Sequence, residues 1–191
     1  MLKRSPSHPF PAPPAWGLGG FAAAAGILGS DERRDGTGVV AAGQEAPDFE
    51  LPDQDGEPVR LSELRGRPVV LYFYPKADTP GCTTQACGVR DHLPDYEQAG
   101  AVVLGASPDP VAKVKRFHDK QGLNFKLLAD EDHAVADTYG VWVEKSMYGK
   151  TYWGVQRATF VIDPEGTVAD VIPKVSPKTH DEQVLKVLGA L

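Results

Sequence analysis

The sequence predicts one α/β domain built on a mixed β-sheet. Short apolar segments alternate along the chain with helix-compatible segments, and two β-type segments near the C-terminus are joined by a turn. Strands that alternate with helices indicate a sheet that is partly parallel and has helices on its faces. The chain has 191 residues, 41% of them hydrophobic, which is enough for one globular domain with a full core.

Seven strands are predicted between residues 44 and 191. In chain order they are 46–51, 58–61, 69–74, 101–106, 124–129, 157–162 and 167–172. The turn at residues 53–56 makes the first two an N-terminal hairpin, and the turn at 163–166, which ends in glycine, makes the last two another. Segment 69–74 is apolar with little alternation, as expected of a central strand that is buried on both faces.

Helices are predicted between these strands. They are a short turn opened by Ser62 and helices over 83–97, 111–121, about 132–139 and 179–188. Pro94 should kink or break the first long helix, and Pro110 suits the start of the next. Segment 141–156, with its aromatic residues and glycines, is predicted to be a loop. The order of elements predicts a thioredoxin-like fold, with a central mixed sheet flanked by helices and an added N-terminal β-hairpin.

Residues 1–43 differ in composition from this domain. Five prolines lie between residues 5 and 14, and five glycines interrupt the apolar stretch 16–29. No small-x-small cleavage site follows it, and the stretch is too short and too weakly apolar to span a membrane. We expect a disordered extension rich in proline, glycine and alanine, outside the thioredoxin-like domain 44–191.

The composition also restricts partners and cofactors. The net charge of −6 and the absence of a basic cluster disfavour nucleic acid and anionic membranes as partners. Two cysteines are too few for a disulfide-stabilised secreted scaffold, and we expect a cytoplasmic protein in which a close cysteine pair has a redox role. The histidines are scattered and form no tight cluster with the cysteines, so no metal or other cofactor is predicted.

Cys82 lies where the predicted central strand passes into a helix. Unpaired backbone N–H groups and the helix dipole favour negative charge at such a position. Both effects stabilise a thiolate, which is the nucleophilic form of cysteine. A reactive thiol is therefore predicted at Cys82.

Cys87 follows five residues later. On a regular helix this spacing places the two Cα atoms roughly 8–9 Å apart on different faces, beyond the roughly 7 Å limit for a disulfide. If the thiols pair, the first turns of the helix must unwind. Gly88 lowers the cost, because glycine is about 1 kcal/mol poorer than alanine in a helix.

Residues around Cys82 indicate what the thiolate attacks. The Thr79 hydroxyl can turn towards the sulfur, Pro75 helps to fix the loop, and Gly81 leaves backbone N–H groups open to a polarised oxygen. Arg157 begins a later strand, where its guanidinium could stabilise both the thiolate and charge on a leaving oxygen. Such donors converging on an O–O bond indicate a peroxide-cleaving site whose product is a sulfenic acid.

The motif Pro75-x-x-x-Thr79-x-x-Cys82 resembles the active-site motif of the peroxiredoxins. The longer Thr79-Pro-Gly-Cys-Thr83…Cys87 is similar to the bacterioferritin comigratory protein branch, also called peroxiredoxin Q, and further similar motifs extend the resemblance over residues 44–191.

The resemblance implies that Cys82 is the peroxidatic cysteine and Cys87 the resolving one, with Pro75, Thr79 and Arg157 in support. It also implies reduction of hydrogen peroxide and organic hydroperoxides, recycling by thioredoxin or a similar dithiol, no prosthetic group, and a monomer. The N-terminal extension departs from the family pattern.

Two other functions stay open at this stage. A protein dithiol–disulfide oxidoreductase could use the same fold, although such enzymes usually carry their cysteines as C-x-x-C. A binding module whose thiols act as a redox sensor is the other alternative.

Overall fold

The computed structural model describes residues 38–191, which contain a five-stranded mixed sheet. Residues 1–37 of the predicted extension lie outside the described residues. The strands of the sheet are β3 (Val69–Phe73), β4 (Val102–Ser107), β5 (Lys126–Ala129), β8 (Ala158–Ile162) and β9 (Val168–Pro173), and they lie in the order β5-β4-β3-β8-β9. The strands β3, β4 and β5 are parallel, and β8 and β9 are antiparallel additions. The predicted α/β fold class with a central mixed sheet is confirmed.

The central strand β3 explains the apolar run in the sequence. Val69, Leu71 and Phe73 belong to one core cluster, whereas Val70 and Tyr72 belong to the other. Because successive side chains of a strand point to opposite faces, a strand covered on both sides must be apolar at every position.

The two faces of the sheet are covered by different elements. One face packs against α1 (Pro80–Asp91), α2 (Leu93–Gln98), α3 (Val111–Gln121) and α5 (His180–Leu188). The other packs against the predicted N-terminal hairpin, β1 (Glu50–Pro52) with β2 (Pro58–Arg60), and against α4 (Ala134–Thr138). A 3-10 turn (Leu61–Leu64) follows the hairpin, as the sequence predicts.

The first long helix is broken as expected. Helix α1 ends at Asp91, and α2 begins at Leu93 with Pro94 in its first turn. Proline is tolerated there because a first-turn N–H has no partner within the helix. The start of the helix was predicted three residues too late, since α1 begins at Pro80, which likewise occupies a first-turn position.

The prediction of a loop at residues 141–156 is wrong. This segment forms the hairpin β6 (Trp142–Met147) and β7 (Lys150–Val155). Tyr148 and Gly149 connect the strands, and both have positive φ, at 51° and 74°. Two adjacent residues with positive φ form the tight turn whose twist suits a hairpin. The glycine, taken as a sign of a loop, is therefore part of a hairpin turn.

The chain preceding the N-terminal β1–β2 hairpin is hydrogen-bonded to the rest of the domain. The N–H of Gly43 donates to the carbonyl of Val168 at 2.7 Å, and the N–H of Val40 donates to that of Tyr139 at 3.3 Å. Within residues 38–191, no helix is both long enough and apolar enough to cross a membrane.

Candidate active site

Cys82 is the third residue of α1 and is 2% exposed. The N–H of Thr83 donates to the carbonyl of Thr79 at 2.8 Å, which closes the first turn. No acceptor for the backbone N–H groups of Gly81 and Cys82 lies among residues 38–191. The thiol thus sits at the positive end of the helix dipole beside open donors, as the sequence predicts.

Arg157 provides a cation at the sulfur. Its Nη2 lies 3.2 Å from Cys82 Sγ, and its Nη1 donates to Oε1 of Gln85. The strand register explains this position, because Ala158 pairs with Phe73 across antiparallel strands. The start of β8 therefore lies beside the end of β3, from which the chain runs into the Cys82 loop.

Gln85 is a site residue that sequence reasoning missed. It is completely buried, and its Nε2 has no hydrogen-bond partner among the described residues. Three residues after Cys82, it lies on the same side of the helix, so a polar residue at that spacing is the signal that the sequence offers. Because the guanidinium of Arg157 is a rigid planar fork, a second acceptor fixes its orientation towards the sulfur.

Thr79 and Pro75 occupy the loop before α1. In this structure the Thr79 hydroxyl donates to the carbonyl of Lys76 at 2.9 Å. Within residues 38–191 this hydroxyl makes no hydrogen bond to Cys82 Sγ, the contact that the sequence suggests. Pro75 is half-buried, two residues beyond the end of the central strand β3. Both residues lie next to the site, and their catalytic roles stay predictions.

Asp109, two residues beyond the end of β4, anchors the same loop. Its Oδ2 accepts the backbone N–H of Ala77 at 2.6 Å, and its Oδ1 accepts from Lys113. The residue is 8% exposed. A buried, charged acceptor bound to a loop N–H restrains the backbone, so Asp109 positions the loop without contacting Cys82. The sequence carried no motif for this role.

Gly81 allows close contact between α1 and two neighbouring segments. A Cβ atom at this position would lie 3.3 Å from Arg157 Nη2 and 3.6 Å from Pro177 Cγ. A glycine here lets the guanidinium lie against the helix backbone. The close-approach role predicted for Gly81 thus applies to the side chain that contacts the sulfur.

Cys87 is half-buried on the same helix and has different neighbours. Its Sγ lies 3.8 Å from Oε1 of Gln121, at the end of α3. Both cysteines carry free thiols, and α1 is continuous from Pro80 to Asp91. The two thiols are therefore on one regular helix, the situation in which a disulfide requires unwinding.

Lys145 adds a second basic group near the site. Desolvation, followed by the charge of Arg157, lowers the pKa of this amine, and Cys82 acts in the opposite direction. Its Nζ donates to the carbonyl of Val155 within the β6–β7 hairpin. The hairpin that was predicted to be a loop thus places a cation near Arg157 and Cys82. No group of three or more metal-ligating side chains occurs within residues 38–191.

The fold and site together define a class: a thioredoxin-like redox protein with a buried, arginine-bound cysteine at the start of a helix. Comparisons with known proteins agree. The sequence model of the AhpC/TSA family matches residues 42–171. Peroxiredoxin Bcp of Escherichia coli strain K12 is 51% identical over 146 residues, which cover 76% of this chain and 94% of that protein.

Solved structures give the same result. Peroxiredoxin Q of Xanthomonas campestris is 40% identical, with a TM-score of 0.74 over 78% of this chain and 97% of that chain. The bacterioferritin comigratory protein of the same organism, described for its alkyl peroxide reduction activity, is 39% identical, with a TM-score of 0.74 over 78% and 98%. The chain belongs to the AhpC/TSA family, as a thiol peroxidase of the peroxiredoxin Q branch.

Proposed function

We propose that Cys82 is the peroxidatic cysteine and that Cys87 resolves its oxidised form. The observation that carries this assignment is the 3.2 Å contact between Arg157 Nη2 and Cys82 Sγ at the open N-terminal turn of α1. A cation and free N–H groups at one sulfur favour the thiolate and also the negative charge that develops on a departing oxygen.

The first step breaks the O–O bond. The Cys82 thiolate attacks the terminal oxygen of a hydroperoxide, an S–O bond forms, and the electron pair of the O–O bond leaves on the other oxygen. The sulfur becomes a sulfenic acid, and the leaving alkoxide or hydroxide takes a proton. Arg157 supports this charge transfer, and Gln85 holds the guanidinium in place.

The second step joins the two sulfurs. The thiol of Cys87 displaces water from the sulfenic acid of Cys82, giving a disulfide. Because both residues lie within α1, part of this helix must unwind first. A dithiol such as thioredoxin then reduces the disulfide and becomes a disulfide itself.

Hydrogen peroxide and organic hydroperoxides are the proposed substrates. The similar Xanthomonas campestris protein, described for alkyl peroxide reduction, supports the organic class. We also propose that the chain acts in the cytoplasm, since a reducing compartment supplies the dithiol that each cycle consumes. That it acts as a monomer is what the resemblance to peroxiredoxin Q implies. Thr79 and Pro75 complete the proposed site by holding the loop in front of the thiol.

Intact mass after one equivalent of hydrogen peroxide tests the assignment. We expect the wild type to lose two hydrogens, Cys87→Ser to gain one oxygen on Cys82, and Cys82→Ser to stay unchanged. Unmodified thiols in the wild type would refute the peroxidase cycle. A gain of one oxygen on Cys87 in Cys82→Ser, with Cys87→Ser unchanged, would reverse the two roles. Peroxide-dependent oxidation of added thioredoxin then tests the recycling step.

A further inference from the structure

A buried polar cluster joins α5 to α1 and α2, away from the reacting sulfur. Asp181, in the first turn of α5, accepts a hydrogen bond from the Tyr96 hydroxyl at 2.7 Å through its Oδ1. The same oxygen lies 3.3 Å from Nδ1 of His180, whose Nε2 lies 3.0 Å from the hydroxyl of Thr159. Tyr96, His180 and Thr159 are fully buried, and Asp181 is 8% exposed.

The hydrogen bonds of this cluster are mutually consistent. With its proton on Nδ1, His180 donates to Asp181 and accepts from Thr159. Burial, followed by the charge of Asp181, raises the pKa of Tyr96, so the phenol keeps its proton and acts as the donor. Buried and satisfied networks of this kind hold their elements in one arrangement.

The other carboxylate oxygen of Asp181 lies against α1. A Cβ atom on Gly88 would lie 2.4 Å from Oδ2, so only a glycine lets the helix approach this closely. Gly88 directly follows Cys87. The chain preceding α5 contacts the start of the same helix, where Pro177 lies near Gly81. Residues 177–181 thus lie against α1 at Gly81 and at Gly88, which are seven residues apart on one face of this helix.

This arrangement opposes the movement that the resolving step requires. For Cys87 to reach Cys82, the backbone at Cys87 must leave its helical position, and Gly88 moves with it. The Asp181 carboxylate of α5 accepts a hydrogen bond from Tyr96 of α2 and lies directly against Gly88 of α1, so one side chain touches both helices. Local opening of this kind is governed by the contacts that must be lost.

We propose that Tyr96 and Asp181 form a latch that holds α1 wound and thereby sets the rate of disulfide formation between Cys82 and Cys87. This inference rests on the proposed two-cysteine cycle and adds positioning residues that contact neither the peroxide nor the sulfurs. The latch acts on the resolving step, in which the thiol of Cys87 displaces water from the sulfenic acid. It leaves the first oxidation unaffected, because that step takes place in the wound helix.

Tyr96→Phe is the test, because it removes one hydroxyl and keeps the ring. Tyr139→Phe is the matched control, since the Tyr139 hydroxyl is also removed from a buried ring but donates to the carbonyl of Pro47, in the other core. Stopped-flow fluorescence separates the peroxide-dependent first phase from the peroxide-independent disulfide phase. In Tyr96→Phe we expect a disulfide phase about tenfold faster, from the loss of one hydrogen bond to a carboxylate. The first phase should stay within about twofold.

Hydrogen exchange of the reduced protein provides a measurement that does not depend on the cycle. Amides of α1 should exchange about tenfold faster in Tyr96→Phe and at the wild-type rate in Tyr139→Phe. A disulfide phase and α1 exchange that are unchanged or slower in Tyr96→Phe would overturn the latch. A wild type that forms no disulfide, with faster α1 exchange in Tyr96→Phe, would instead refute the two-cysteine cycle, while the hold of Tyr96 and Asp181 on the wound α1 would stand.

If Tyr96→Phe does not fold, Asp181→Asn carries the same test. This variant keeps the size of the side chain and an oxygen acceptor for Tyr96, but it removes the charge. We expect a disulfide phase about threefold faster, because hydrogen bonds to neutral acceptors are weaker than those to charged ones. An unchanged or slower disulfide phase in a folded Asp181→Asn protein would likewise overturn the latch.

Discussion

Replacing Arg157 should slow the first oxidation of Cys82 while leaving the fold intact. The guanidinium donates to Sγ at 3.2 Å and to Gln85 through its other terminal nitrogen. It is half-buried immediately before β8 and is not one of the apolar side chains of either core cluster, so its replacement deletes no core side chain. The free energy of unfolding should therefore change little, although the rate of oxidation falls.

The size of the effect follows from the hydrogen bond to the sulfur. A hydrogen bond to a charged group contributes about 1.5–3 kcal/mol, and each 1.4 kcal/mol corresponds to a factor of about ten in rate. Arg157→Ala should therefore lower the rate constant with hydrogen peroxide by about tenfold to a hundredfold. Arg157→Lys keeps the charge but cannot contact Cys82 and Gln85 together, so a loss of about three- to tenfold is expected.

Stopped-flow mixing in a Cys87→Ser background isolates this step, because no disulfide can follow. The slope of the observed rate against peroxide concentration gives the second-order constant, and thermal unfolding of each variant checks the fold. If Arg157→Ala reacts within about threefold of the parent while it is folded, the assigned role of the guanidinium is wrong. If Arg157→Lys loses as much rate as Arg157→Ala, the geometry of the guanidinium is required and a positive charge alone is not sufficient.

Three further predictions concern orientation, backbone strain and pH. Gln85→Leu should slow the first oxidation about three- to tenfold in the same kinetic assay, because Arg157 loses the acceptor that orients it. Gly140→Ala should lower the free energy of unfolding in urea by more than about 1 kcal/mol, since φ is +72° and the new Cβ would lie 2.0 Å from a backbone oxygen. Burial opposes ionisation of Asp53, but the hydrogen bond from Lys126 and two backbone N–H groups outweigh it and lower the pKa of this carboxyl. The ionised carboxylate therefore stabilises the fold fully above the ordinary pKa of 3.8, and this stabilisation is lost as the pH falls through the lower folded-state value. In urea melts Asp53→Asn should be less stable than the wild type at pH 7, and the difference in unfolding free energy between the two proteins should shrink below about pH 3.8.

The sheet was largely predictable because its signals are local. Strand 69–74 is apolar throughout, and the glycine turn 163–166 marks a hairpin by residue type. The β6–β7 hairpin was missed because its turn residue Tyr148 has a φ of 51°, a conformation that tyrosine rarely adopts. The pairing of β6 with β7 imposes this conformation on Tyr148, and the amino-acid composition of the segment gives no information about that pairing.

The site was predictable as far as its motif extends. Cys82 and Arg157 meet as expected, because the antiparallel pairing of β8 with β3 brings the start of one strand to the end of the other. Gln85 and Asp109 were not found. Each acts through one tertiary contact, to Arg157 and to the loop N–H of Ala77, and such contacts follow from how the elements pack.

Gly88 shows how one residue can meet two demands on a helix that must both hold and open. Its weak helix propensity lowers the cost of unwinding by about 1 kcal/mol, an effect that residue type alone reveals. Its missing side chain also lets α1 pack against the Asp181 carboxylate, which stabilises the wound form. An alanine would make the helix intrinsically stronger and the contact with α5 impossible without a shift. A glycine therefore lets the wound state depend on a tertiary contact, so that opening α1 and releasing α5 become one event.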